Sequence, residues 1–170
     1  MLVLGYCLIS EKIMTMAKII NIYIYPEAGA NGIAQSTVKI IAGSGIVGDR
    51  YYKNKGTFTK DNSIDPKQEI TFIESEKIDA FNQQNSLQLG YQQLRRNIIT
   101  RNVNLNDLVD KEFTFGDQLF RGIELCEPCG YLAKKVEPKL LPQMIGKCGL
   151  RVQILSSGNL NIDDEFTLTK

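Results

Sequence analysis

Apolar residues recur along this chain mostly in short runs of period two, broken by glycine, proline and asparagine. In the first such run, Lys18 to Tyr25, Ile20, Ile22 and Ile24 alternate with Asn21 and Tyr23, which predicts a strand with those isoleucines on one face. Gly29-Ala30-Asn31-Gly32 turns the chain, and Ser36 to Ala42 is a second β-type run. Gly43 to Arg50 is a glycine-punctuated loop ending in Asp49-Arg50. Lys53 to Lys67 lacks periodicity and reads as a polar loop with an Asp65-Pro66 turn signal. Glu69 to Ile73 predicts a buried strand running into a helix over Ser75 to Gln84, with Ile78 and Phe81 on its apolar stripe. Arg95 to Thr100 carries two arginines into a β-branched run, and Asn104 to Leu108 is a short helical turn. Phe113 to Phe120 predicts a hairpin turning at Gly116 or Asp117, followed by a strand from Gly122 to Leu125. Short helices are expected over Tyr131–Val136 and Leu140–Ile145, separated by Pro138. Closing strands over Leu150–Leu155 and Glu165–Leu168 flank a turn at Gly158-Asn159.

Many short strands with few helices and no repeats predict a mainly β fold: one antiparallel β-barrel domain with a few short helices. The length of 170 residues suits a single domain. Residues 17–170 are assigned to that domain and residues 1–16 to an N-terminal extension. The apolar stretch Leu2 to Ile9 is too short to span a bilayer and lacks the flanks of a signal peptide. Met14 and Met16, just before the first strand, point to an internal start. The 20 basic and 19 acidic residues nearly cancel, which argues against a broad nucleic-acid surface. The four cysteines are unevenly spaced, unlike a secreted disulfide framework. The expectation is a cytoplasmic protein with no membrane and no nucleic-acid partner.

The chain contains no histidine, so neither a Ser-His-Asp nor a Cys-His site can be built, and zinc loses its commonest nitrogen ligand. Thiolate, carboxylate, guanidinium and amine chemistry remain. Cys126-Glu127-Pro128-Cys129 concentrates the thiols, and its spacing lets both sulfurs meet one metal ion or each other. Four readings stay open at this level. They are a zinc site completed by Cys7 and Cys148, a thioredoxin-like disulfide, two buried cysteines acting as small hydrophobes, and one functional thiolate at the mouth of the barrel. Arg95-Arg96-Asn97 with Thr100 offers a planar fork and neutral hydrogen bonds suited to phosphate. Gly48-Asp49-Arg50 can turn backbone N–H groups toward an anion, or be a salt-bridged turn.

The order of these elements is more specific than any one of them. A Gly-x-x-Gly-Asp-Arg loop is followed by Gln68 to Glu74, Arg96-Asn97-Ile98-x-Thr100, Asp110-Lys111-Glu112-Phe113, Phe115-Gly116-Asp117 and Cys126-x-Pro-Cys129-x-x-Leu132. This succession resembles the MOSC domain, the C-terminal module of molybdenum cofactor sulfurases, and especially its small stand-alone bacterial members. Gly149 to Val152 and Gly158-Asn159-Leu160 look like the closing strands of that family. The resemblance implies a β-barrel that binds a molybdenum–molybdopterin cofactor through Cys129, as a thiolate ligand to molybdenum or as a sulfur carrier. It implies that Arg96, Asn97 and Thr100 line the phosphate or pterin side, with Asp49 and Arg50 across the pocket. Implied activities are reduction of N-hydroxylated compounds or sulfur transfer, with a cysteine desulfurase or a reductase as partner. A non-catalytic sulfur carrier or redox-pair module is the alternative. Tyr51 and Tyr52 stand where many relatives carry a histidine.

Overall fold

The computed structural model describes residues 16–52 and 65–169. Residues 1–15 of the expected extension, and most of the polar loop that follows Tyr52, lie outside the described residues. The described chain begins with strands β1 (Lys18–Ile24), β2 (Ile33–Gln35), β3 (Thr37–Ile41) and β4 (Gly45–Ile46). Then come β5 (Ile70–Glu74), α1 (Ser75–Asn85), β6 (Ile98–Arg101), β7 (Glu112–Phe115) and β8 (Gln118–Leu125). Helices α2 (Gly130–Lys135) and α3 (Leu140–Gln143) precede β9 (Leu150–Ile154), β10 (Gly158–Asn161) and β11 (Phe166–Leu168). Short 3₁₀ turns at Pro66–Gln68, Tyr91–Leu94 and Leu105–Leu108 join them.

Eight strands form one sheet in the order β11-β7-β8-β9-β5-β6-β1-β2, and β10, β3 and β4 form a second. Every strand pair is antiparallel except β5–β6, which α1 connects as a parallel crossover. The large sheet is a strongly curled half-barrel, and backbone hydrogen bonds tie its ends. Ile19 donates to Asp164 and Phe166 donates to Ala17, at 3.0 and 2.9 Å, and Lys18 bridges Glu165. Hydrogen bonding across the ends removes most of the exposed edge that an open sheet would present. No helix among the described residues is long and apolar enough to cross a membrane.

Two strand expectations are corrected. A bulge between Ile19 and Asn21 carries β1 out of step with β6, so Ile19 and Ile22 are the fully buried pair and Ile20 and Ile24 are only partly covered. One extra residue exchanges the faces of everything beyond it, and period-two counting cannot register that. Gly158-Asn159 is not a turn but the start of β10, which pairs with β3 in the register Gly158↔Ile40 and Asn159↔Lys39. Helix α1 keeps the expected inward stripe of Ile78 and Phe81.

The sheet divides the apolar residues into two cores. Inside the curl, Phe72, Phe113, Phe115 and Phe120 pack with Ile22, Ile98, Leu150 and Val152. Phe72 stacks on Phe115 at 5.5 Å and meets Phe120 edge-on at the same separation. On the outer face, Ile73, Ile99 and Cys148 pack against Ile78 and Phe81 of α1, Leu132 of α2 and Leu140 of α3. Successive residues such as Phe72-Ile73 and Ile98-Ile99 therefore serve opposite cores, which is why these strands read as unbroken apolar runs.

The strand connection into β9 rests on Gly149. Its φ is +103°, and a Cβ there would stand 2.2 Å from the Phe72 carbonyl oxygen. Gly149→Ala is expected to lower stability by about 3 kcal/mol, from strained backbone and overlap together, in denaturant titrations.

Two carboxyl groups are enclosed by the same packing. Glu69 accepts from the Ile154 and Gly43 amides at 2.9 and 3.3 Å. Glu74 accepts from the Leu105 amide at 3.1 Å through Oε1, while its buried Oε2 has no partner among the described residues. Burial raises both pKa values above the ordinary 4.5, against the pull of the backbone donors. The folded state thus holds a proton that the unfolded chain releases, so this contribution to stability is full below that ordinary value and falls as pH rises. In urea titrations from about pH 5 to about pH 8, Glu74→Gln is expected to lose less stability than the parent protein.

Candidate functional site

The loop after β4 is held by one carboxylate. Asp49, 3% exposed, accepts from the Tyr25 amide at 2.9 Å and the Asn97 side-chain amide at 3.1 Å through Oδ2. Its Oδ1 accepts from the Tyr51 amide at 3.2 Å. Asn97 in turn donates to the Tyr23 carbonyl at 3.2 Å and accepts from the Thr71 amide and hydroxyl at 3.2 and 2.9 Å. The side chain of Asn97 is fully engaged in joining β1, β5 and the loop. Thr100 is completely buried, with its hydroxyl directed to the Ile73 carbonyl. Three of the residues expected around a cofactor, Asp49, Asn97 and Thr100, are therefore internal ties in this fold.

What Asp49 positions is cationic. Tyr25 is fully buried at the end of β1, and its hydroxyl donates to the Gln92 carbonyl at 2.8 Å, with the Arg96 carbonyl at 3.2 Å. The Arg95 and Arg50 guanidinium carbons lie 4.8 and 5.5 Å from the Tyr25 ring centre, and Arg50 also stacks on Tyr51 at 4.5 Å. Each such contact contributes roughly 0.5–2 kcal/mol. Arg95 adopts φ +60° and donates through Nη1 to the Ala30 carbonyl at 2.6 Å. Burial, and then the Arg50 charge, lower its pKa. Burial pushes the Tyr25 phenol well above its ordinary value, against the pull of Arg95, Arg96 and Arg50. Arg50 keeps two buried donors, Nε and Nη1, without a hydrogen-bond partner among the described residues. Two guanidinium groups beside one ring, with no carboxylate among the described residues to neutralise them and two donors unused there, make an arrangement suited to an anion.

The thiols lie on the other side of Arg96. Strand β8 delivers Cys126, whose amide donates to the Gly149 carbonyl at 2.7 Å. Cys126 and Cys148 are buried and Cys129 is exposed, and all three thiols are free. Cys129 caps α2, its sulfur accepting from the Leu132 amide at 3.4 Å. Arg96 grips Cys148 twice, through Nε to its carbonyl at 2.8 Å and through Nη2 to its sulfur at 3.4 Å. Burial works against the Arg96 charge, but the Cys126 and Cys148 sulfurs hold its pKa above the ordinary value. Burial pushes the Cys148 thiol up, with Arg96 pulling back. Among the described residues no three metal-binding carboxylate or thiol side chains converge. Cys7 lies outside the described residues.

A cleft of about 410 Å³ opens beside Arg95, lined by Asn31, Gly32, Gln92, Gln93, Lys135 and Val136. Lys135, in the last turn of α2, donates to the Gly29 carbonyl and so joins α2 to the β1–β2 loop.

A model of the MOSC domain matches residues 59–167. The chain belongs to the MOSC family. No curated protein matches the sequence, and solved structures supply the closer geometric comparison. The chain is similar to YuaD protein from Bacillus subtilis, at TM-score 0.73 and 17% identity over 89% of this chain and 94% of that one. It is also similar to YiiM from Geobacillus stearothermophilus, at TM-score 0.69 and 16% identity over 91% of this chain and 75% of that one. For YiiM from Escherichia coli the values are 0.63 and 14%, over 92% and 70%. At these identities the structures establish a shared MOSC fold.

Within this MOSC fold, the sequence-derived set separates into three places. Asp49 and Asn97 meet directly, Arg50 joins the anion-ready cluster, and Arg96 faces the buried thiols. Arg95 enters the sequence reading only as part of the arginine fork and Cys148 only as a possible zinc ligand, and Tyr25 is not a candidate. Doubled arginine was the available signal for Arg95, but its left-handed backbone was not legible. Nothing in the local pattern distinguishes Tyr25 from a core aromatic. Tyr51 is a stacking platform for Arg50. Asp49→Ala is expected to lower stability by about 3 kcal/mol in denaturant titrations, because it strands three donors, two of them deep in the fold.

Proposed function

We propose that this MOSC protein binds a pterin–molybdenum cofactor, with Arg50 and Arg95 holding its phosphate and Cys129 supplying a thiolate. The observation that carries this reading is the pair of buried, unpartnered Arg50 donors beside the Arg95 guanidinium. A planar fork with free donors in a water-poor setting is suited to a phosphate, and the missing counter-charge would come from the ligand. Gln92, Gln93 and Asn31 add neutral donors and acceptors of the kind a pterin edge needs, and Lys135 adds a further cation. Thiolate sulfur is a soft ligand for molybdenum and a natural persulfide carrier. When bound, the metal would supply two-electron redox chemistry, for which N-hydroxylated compounds are the proposed substrates.

Cys129 supports a second use of the same residue. It is exposed and sits at the start of α2, open to a protein donor of sulfur or electrons such as a cysteine desulfurase or a reductase. In that reading it carries sulfur as a persulfide and the anion site orients the acceptor.

Elemental analysis of full-length protein from a molybdenum-replete host, with persulfide detection on the same preparation, tests both. Arg50→Ala is expected to reduce bound molybdenum roughly ten-fold or more, the loss of one charge-assisted fork. Cys129→Ser is expected to reduce molybdenum or abolish the persulfide, while Cys126→Ser retains both. Parent protein that holds neither molybdenum nor persulfide sinks the proposal.

A further inference from the structure

We propose that Cys126 and Cys148 are a redox-active pair that closes to an intramolecular disulfide, with exposed Cys129 as the point where a hydroperoxide enters. This inference concerns the thiols of protein in which Cys129 is not engaged by the cofactor proposed above. Its basis is placement. Cys126 is bonded through its amide to Gly149, the residue after Cys148, so the two thiol-bearing residues sit diagonally across one backbone hydrogen bond. Gly149, with φ +103°, breaks the regular pleat at that point, freeing Cys148 from strict strand alternation. The Arg96 guanidinium is anchored on the Cys148 carbonyl and sulfur at 2.8 and 3.4 Å. That guanidinium, in contact with the Cys148 sulfur, opposes the effect of burial on this thiol and so assists the thiolate that must attack during exchange.

The three thiols differ in access, which orders the steps. Cys129 is exposed, whereas Cys126 and Cys148 are 1% and 0% exposed. Cys148, the least accessible of the three, takes the final, resolving position, where the Arg96 contact at its sulfur offsets part of the cost that burial places on its thiolate. In the first step the Cys129 thiolate attacks one peroxide oxygen. The O–O bond breaks, and Cys129 sulfenic acid and one water result. The Cys126 thiol then attacks the Cys129 sulfur and expels the second water, leaving a Cys126–Cys129 disulfide. Finally the Cys148 thiolate attacks the Cys126 sulfur, and Cys129 leaves as a thiolate that takes up the proton lost from Cys148. The net change is two thiols oxidised to one disulfide, with hydrogen peroxide reduced to two waters.

The experiment uses the full chain carrying Cys7→Ser, treated with hydrogen peroxide, alkylated and digested without reductant. Tandem mass spectrometry with fragmentation at the Glu127–Pro128 bond separates Cys126 from Cys129. At completion the expected map links Cys126 to Cys148, leaves Cys129 open to alkylation, and reverts with dithiothreitol. Cys129→Ser is expected to reach the same linkage at least about ten-fold more slowly, because a buried thiol must then meet the oxidant. A final map with Cys126 joined to Cys129, or with Cys148 still free, overturns the pairing. An unchanged rate in Cys129→Ser overturns the entry role. The linkage map of the unsubstituted trio carries the pairing test even where a serine variant folds poorly.

Discussion

A buried carboxylate with three backbone and side-chain donors organises this protein around Asp49. Enclosing a charge is costly unless every lone pair is engaged, and Asp49 is engaged by Tyr25, Asn97 and Tyr51. Those bonds fix where β1 ends, how the loop after β4 turns, and how the start of β6 approaches both. Because Asn97 also joins Tyr23 and Thr71, the constraint extends from the loop to β1 and β5. Arg50 follows Asp49 directly, so the tie that closes the loop also directs a guanidinium inward. The unused donors of Arg50 and the cation–aromatic stack on Tyr25 are consequences of that single anchorage.

The arginines then divide the labour by their neighbours. Arg50 and Arg95 share Tyr25 and have no carboxylate partner among the described residues, which leaves their charge open to a ligand. Arg96, adjacent in sequence to Arg95, points to different chemistry because Arg95 takes a left-handed backbone conformation between them and the preceding turn. Its partners are Cys148 and Cys126. One dipeptide thus serves two sites, an anion cluster and a thiol cluster, on either side of the same turn.

The Cys-Glu-Pro-Cys element changes meaning in this setting. Read alone, it is a symmetric pair for zinc or a disulfide. In the fold, Cys129 caps a short helix in the open, and Cys126 is enclosed beside Gly149 and Arg96. Cys148, also buried, lies more than twenty residues on in sequence, directly before the Gly149 to which the Cys126 amide is bonded. Sequence spacing favours Cys129 as the partner of Cys126, whereas the pairing of β8 with β9 leads the chain to a Cys126–Gly149 backbone bond, with Cys148 the next residue along.

The hydrophobic pattern by itself determined the class of fold, most strand positions and helix α1 with its Ile78 and Phe81 stripe, and the order of the motifs carried the resemblance to MOSC domains. These are local or order-dependent properties: alternation, turn residues and spacing act over a few residues and are written directly in the chain. The β1 bulge, the pairing of β10 with β3, and the commitments of Asp49, Asn97 and Thr100 were decided only in three dimensions. A side chain's role depends on whether its donors and acceptors are already engaged by residues far away in sequence. Asn97 looks like a ligand-binding amide until Asp49, Thr71 and Tyr23 engage its side chain. Arg50 looks like a salt-bridged turn until its buried Nε and Nη1 are found to meet no acceptor among the described residues. Burial and partnership are properties of the assembled sheets, so tertiary structure alone could separate the residues that hold the site from those left free to use it.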